Sequence, residues 1–282
     1  MVKFTHIINP VKVSPSSDLY DAQPVTFESM RIAAKNIKQA ITVEHLAAFF
    51  SEDILDLPSG FIKTPVLDRS VLDFGDFYKT RKLPLLYDIL ERSYLAADDA
   101  DYMIYTNVDI ALMPFFYDTV WHLINQGYDA FIINRRSISK NHSTAGQLPL
   151  MYAEVGKQHM GWDCFVFKRK LFPSFQLGNV CIGARYVGLV LRTNMECFAS
   201  NFKEFRDMHL TFHLGEDKVW KNADYSDYNE FNRVEALKCL EGLSGQFPAV
   251  KNVISQYLIK KDPSKTKMKS FLNRLVRALA IK

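Results

Sequence analysis

The 282-residue chain has no C-x-x-C pair and no internal repeat, and none of its apolar runs approaches the ~18 residues of a membrane-spanning helix. Each absence removes a class of protein. The four cysteines, Cys164, Cys181, Cys197 and Cys239, are too scattered for a zinc ribbon or a dithiol redox motif, so buried free thiols in a reducing compartment are expected. The opening MVKFTHIINPVKV lacks the apolar centre of a secretory signal, and a cytoplasmic location is the expectation. No G-x-x-x-x-G-K-[ST] occurs, and no G-x-G-x-x-G follows the first strand-like run. A P-loop ATPase and a dinucleotide oxidoreductase are therefore unsupported.

What is present suits a large core. With 48% hydrophobic and 13% aromatic residues, the chain fits one large α/β domain or one domain with appendages. The net charge of +4 is unevenly spread, since Lys260 to Lys282 holds eight basic residues and one acid, +7 in all, which leaves −3 on residues 1–259. In that tail Phe271, Leu272, Leu275, Val276 and Leu279 fall on one helical face, and Lys267, Lys269, Asn273, Arg274 and Arg277 occupy the rest. Such a basic amphipathic helix either lies in an anionic membrane interface, through residues 267–281, or packs back on the protein. Nucleic acid is not an expected partner, because the aromatic interleaving used for base stacking is missing.

Periodicity divides the chain into alternating units. Strands are expected at Phe4–Ile8, Val43–Phe50, Phe61–Leu67, Tyr102–Thr106, Tyr128–Ile133, Cys164–Phe167 and Leu210–Leu214. Helices are expected at Pro24–Ala40, with Val25, Phe27, Met30, Ala33, Ala34 and Ile37 inward, and over Lys82–Asp99, Phe115–Asn125 and Val187–Leu191. Residues 137–158 are polar and irregular, and the length of that stretch suggests a functional loop or lid. The order predicts a mostly parallel sheet flanked by helices.

The most informative stretch is DYMIYTNVDIALMPFFYD, residues 101–118. Its buried strand ends in Asn107 and Asp109, two apart and on one face at the carboxyl end of the strand, where open α/β sheets bind ligands. Ordinary turn chemistry accounts for the same residues, since Asn and Asp bond to nearby backbone and cap helices. Downstream, HMGWDCFVFK (159–168) offers Gly161 for close backbone approach, Trp162 as a flat surface, and Asp163 as either a base or a turn cap. Arg185 stands near the start of a helical run, either facing a phosphate or acceptor carboxylate or solvated at the surface. HLTFHLGEDKVW (209–220) puts His213 at a strand end beside acids, with His209 as the alternative.

Asn107-x-Asp109, the G-x-D-x-F-x-F-like run and the late histidine, in that order, resemble glycosyltransferases of the GT-A fold over roughly residues 1–225. The resemblance implies a GT-A-like α/β domain over 1–225, and the chain beyond it is expected to form a helical segment (226–259) and the basic tail helix (260–282). It implies transfer of a sugar from a UDP- or GDP-sugar to a glycan or lipid-linked acceptor hydroxyl in envelope or surface glycan synthesis. Asn107, Asp109 and Arg185 would bind the nucleotide sugar, Asp109 and His213 would hold Mn2+ or Mg2+, and Asp163 would be the general base. Asn107 stands where the family more often has an acid, which keeps a non-catalytic scaffold of the same fold in play. A sugar nucleotidyltransferase would carry a glycine-rich, lysine-bearing loop where this chain reads INPVKVSPSS.

Overall fold

The computed structural model describes residues 1–216 and 222–259. The amphipathic tail and Trp220 lie outside the described residues. Within them the chain forms one nine-stranded sheet, ordered β3-β2-β1-β4-β7-β6-β9-β5, with β8 also paired to β6.

In its first half β1 (Val2–Ile8) is parallel to β2 (Ile41–Ala47) on one side and to β4 (Tyr102–Thr106) on the other, with β3 (Phe61–Lys63) outside β2. All five residues of β4 are buried, as their aromatic and β-branched content predicts. Alternation splits them between two layers. Met103 and Tyr105 face one core with Phe165 and Phe167, whereas Tyr102 and Ile104 face the other with Phe4 and Val166. At roughly 2 kcal/mol for each large apolar side chain taken out of water, these layers account for the rigidity of the strand end that follows.

Helices cover both layers. The first core takes α2 (Leu86–Ala96) through Leu86, Ile89 and Leu90, on the face its periodicity predicts. The same core takes α5 (Val187–Phe198), α6 (Ser226–Ser244) and α7 (Val250–Tyr257), so the helical C-terminal segment shares it. On the opposite layer lie α1 (Leu19–Lys35) and α3 (Phe116–Asn125). Beside α1, α4 (Leu148–Ala153) covers a smaller core with Leu148 and Met151 against Val25.

Several boundaries differ from expectation for local reasons. The first helix begins five residues before Pro24, which therefore sits inside it, and it ends at Lys35 because the Asp118 carboxylate accepts from the backbone of Lys38 and Gln39 at 3.1 to 3.3 Å. Periodicity weighs apolar spacing and does not see a cap from 80 residues away. β6 (Ala130–Ile138) does not close at Asn134 but runs on, since β9 (Thr211–Leu214) pairs with Arg136 to Ile138 in parallel. The expected loop over 137–158 is thus partly strand and partly α4, and it is anchored by buried side chains. Only its Lys140 and Ser143 reach the large cleft. The four-residue strand β8 (Phe202–Phe205) places Lys203 and Glu204 between two phenylalanines, too short a run for a period-2 signal, and it emerges through its pairing with β6. The described free cysteines match expectation: Cys164, Cys181 and Cys239 are buried and Cys197 partly so.

Candidate active site

One antiparallel pairing assembles the polar cluster. β7 (Lys157–Lys168) runs against β4 with Thr106 opposite Cys164, so the next residue outward on each strand places Asn107 beside Asp163. The Asn107 side-chain amide donates to Asp163 Oδ1 at 3.1 Å, and its carbonyl oxygen accepts from the Tyr105 hydroxyl at 3.1 Å. The other carboxylate oxygen of Asp163 accepts from Arg135 Nη1 at 2.7 Å. Arg135 comes from the extended part of β6, where the register slips on either side of Asn134. A β-bulge of this kind re-aims a side chain.

A second pairing assembles the other half. β5 (Ala111–Leu112) opposes β9 with Ala111 opposite Phe212, which carries Asp109 to His213. His213 Nε2 lies 3.2 Å from Asp109 Oδ2, and its Nδ1 lies 3.1 Å from the carbonyl oxygen of Gly215. Burial alone would raise the Asp109 carboxyl. The His213 hydrogen bond and the charges of His213 and Arg135 outweigh it and hold the group below its ordinary value. For His213 burial works to strip the proton, but the Asp109 carboxylate wins and the imidazole is raised.

Both halves line one cleft of about 730 Å³ at the carboxyl edge of the parallel strands. Its other walls are the start of α1 with Asp18 and Asp21, the Trp162 and Phe165 stretch of β7, and the turn into α5. A volume in the range of about 300–1,000 Å³ accommodates a cofactor-sized molecule. Asp109 Oδ1 is buried in this cleft without a hydrogen-bond partner. An unsatisfied carboxylate oxygen there is costly unless a ligand completes it.

Among the described residues, no three His, Cys, Asp or Glu side chains gather as a metal cage. One orphaned carboxylate oxygen suits a hard cation that would take most of its ligands from water and a diphosphate, and the His213 imidazole beside it would join only after giving up its proton. Both polar atoms of the Asn107 side chain are engaged, its oxygen by Tyr105 and its amide nitrogen by Asp163.

The sequence-derived candidates divide clearly. Asn107, Asp109, Asp163 and His213 converge in the cleft. His209 does not line it, and neither does Arg185, which lines a separate depression beyond Tyr186. Gly161 faces the His159 ring and the Asp163 carboxylate, where an added Cβ would stand 2.6 and 3.0 Å from them. Its small size therefore serves that packing. The cleft's buried arginine is Arg135, hidden in sequence because Asn134-Arg135-Arg136 reads as a polar strand ending. Two arginines interrupting an apolar strand beside predicted ligand groups were the available signal.

No protein-family model matches this chain, and no curated protein matches it in sequence. Among solved structures it is similar to glucosyl-3-phosphoglycerate synthase from Mycobacterium tuberculosis in complex with phosphoglyceric acid: 14% identity, 84% of this chain and 80% of that one covered, TM-score 0.46. S. aureus TarS in complex with UDP-GlcNAc gives 9% identity over 84% of this chain and 67% of that one, TM-score 0.45. A putative nucleotide-diphospho-sugar transferase from Desulfovibrio desulfuricans gives 12% identity over 84% and 98%, TM-score 0.37. The mostly parallel α/β sheet with flanking helices that the GT-A resemblance implies is the architecture this chain adopts, with five of its eight strand pairings parallel.

Proposed function

We propose that this protein transfers a sugar from a nucleoside-diphosphate sugar to an acceptor hydroxyl. The observation that carries the proposal is the orphaned, buried Asp109 Oδ1 beside His213, set in the same cleft as the Asn107–Asp163–Arg135 cluster. Asp109 and His213 would hold a divalent cation, Mn2+ or Mg2+, whose chemistry is to neutralise charge on a departing diphosphate. The chain's own groups do the rest. The acceptor oxygen bonds to the anomeric carbon as the bond from that carbon to the diphosphate oxygen breaks, and the acceptor proton passes to a base.

Asp163 is the assigned base if the transfer inverts configuration. Arg135 and Asn107 fix its orientation through one bond to each oxygen, so an acceptor hydroxyl must compete with or supplement these partners. Trp162 and Phe165 flank it and limit water. The acceptor belongs to envelope or surface glycan synthesis in this reading, glycan or lipid-linked, reached by attachment of the basic tail to an anionic membrane face. No helix of the described residues is long and apolar enough to cross a membrane.

Hydrolysis and transfer measured across a panel of UDP- and GDP-sugars, with and without Mn2+, test the reading. Turnover of at least one donor that depends on the cation is expected. Absence of both binding and turnover for every donor would overturn it.

A further inference from the structure

Tyr186 is held in a conformation that an aromatic residue rarely adopts. Its φ is +73°, one of two positive values at non-glycine residues among the described ones, and it directly precedes the first turn of α5. Left-handed backbone costs a residue with a Cβ about 1–2 kcal/mol, and it persists where the surroundings over-determine it. The surroundings are α6. Asn229 accepts from the backbone N–H of Arg185 at 2.9 Å, and the fully buried Asn232 donates to the Arg185 carbonyl at 2.9 Å, so the residue before Tyr186 is clamped on both sides.

The clamp puts Tyr186 between two cavities. It lines the main cleft and also a second depression of about 310 Å³, whose other walls include Arg185, Asn229, Glu230, Arg233 and Tyr257. This depression lies on the Asp163 side of the cleft. Trp162, the neighbour of Asp163, has its ring 6.4 Å from that of Tyr257, and its backbone and Cβ lie so close to α5 that a Cβ at Gly188 would stand 3.2 Å away. A surface therefore runs from Asp163 over Trp162 to Tyr186 and Tyr257. It alternates aromatic rings with polar groups that hold one another in place: the Arg233 guanidinium donates to Glu230 at 2.7 Å and to the Leu258 carbonyl oxygen at 3.2 Å, and Asn229 accepts from the Arg185 backbone. Rings offer the flat apolar surface on which the C–H face of a pyranose rests, and the planar polar groups pair with its hydroxyls.

We infer that the acceptor is an oligosaccharide: its reacting unit sits at Asp163, and the next unit crosses Tyr186 into the depression lined by Arg185, Arg233 and Tyr257. The inference rests on the glycosyltransferase reading and gives it a substrate class. It also gives Arg185 a place that the donor site does not.

The test is binding of the full chain to an array of glycans graded in length, each series sharing one terminal sugar, in the presence of UDP or GDP and Mn2+. At least one series should show di- and trisaccharides retained ten-fold or more above the monosaccharide. Tyr186→Gly, which keeps the positive φ without strain, should reduce that ratio at least five-fold, and so should Arg233→Ala. Equal retention at all lengths, including retention of none, overturns the inference. So does a full ratio in both variants. Nucleotide and Mn2+ affinity of the wild type, measured on the same sample, separates the two failures. If it is present with a flat length series, only the oligosaccharide assignment falls; if it is absent, the transferase reading falls with it.

Discussion

At the residue scale, Asn107 decides the character of the cleft. Its amide gives Asp163 a donor at 3.1 Å, where an acid would present a second carboxylate at the same distance. Two such groups cannot both ionise cheaply, and one is pushed up. Asn107→Asp is therefore expected to lower stability at pH 7 by about 1–3 kcal/mol, read from urea unfolding. Because the raised group would bind its proton more tightly folded than unfolded, the loss should shrink as pH falls toward 5. A variant as stable as wild type at pH 7 would remove the Asn107–Asp163 bond from the account. Asp163→Asn separates chemistry from architecture. As the base, it should lower kcat at least 100-fold, within the ~10²–10⁴ range of general base catalysis, with donor KM near wild type. Loss of donor affinity together with turnover would assign Asp163 to holding Arg135 and Asn107 in place.

At the element scale, β1, β2 and α3 are joined by a buried polar chain. The Tyr117 hydroxyl lies 2.9 Å from both His6 Nδ1 and His45 Nε2, and His6 Nε2 lies 2.9 Å from Thr106 Oγ1, one residue before Asn107. With a single proton Tyr117 donates to one histidine and accepts from the other, which requires the accepting ring to be neutral. Burial lowers His45 to about 4, and burial with the neighbouring His45 puts His6 well below its ordinary value. The unfolded chain takes up these protons below about pH 6.5, whereas the folded chain refuses them. Stability should thus fall as pH drops below ~6.5 and keep falling until about 4, on the order of 3 kcal/mol for His45 alone. Urea midpoints at pH 7.5, 5.5 and 4.5 check it, and His45→Gln should flatten the slope. A slope that the substitution leaves unchanged would assign the acid loss to carboxylates. These elements also mark what the sequence made legible. Tyr102–Thr106 and the inward face of α2 were readable because apolar spacing within one segment determines them. The end of α1, the length of β6 and the placing of β8 were not, because Asp118, β9 and the β6 edge determine them from distant parts of the chain.

At the scale of the whole molecule, the candidate site is a product of topology. Asn107 and Asp109 were legible as a strand end, yet Asp163 reaches Asn107 only because β7 runs antiparallel, and Asp109 reaches His213 only through the β5–β9 pairing. Arg135 needed the bulge in β6. The tail from residue 260 lies outside the described residues, and its role is tested on the full chain. At about 1 kcal/mol per cation near an anionic surface, its +7 predicts salt-sensitive sedimentation with anionic liposomes that a chain ending at Leu258 loses. Equal binding by both chains would assign any membrane contact to the folded part. The central claim is that Asp109 and His213 form the place where a cation meets a diphosphate. Titration calorimetry of UDP and GDP, each with Mn2+, tests it on wild type, Asp109→Ala and His213→Ala. The account predicts cation-dependent nucleotide binding in the wild type, its loss in Asp109→Ala with the unfolding midpoint retained, and a milder weakening in His213→Ala. Unchanged affinity in Asp109→Ala would contradict it.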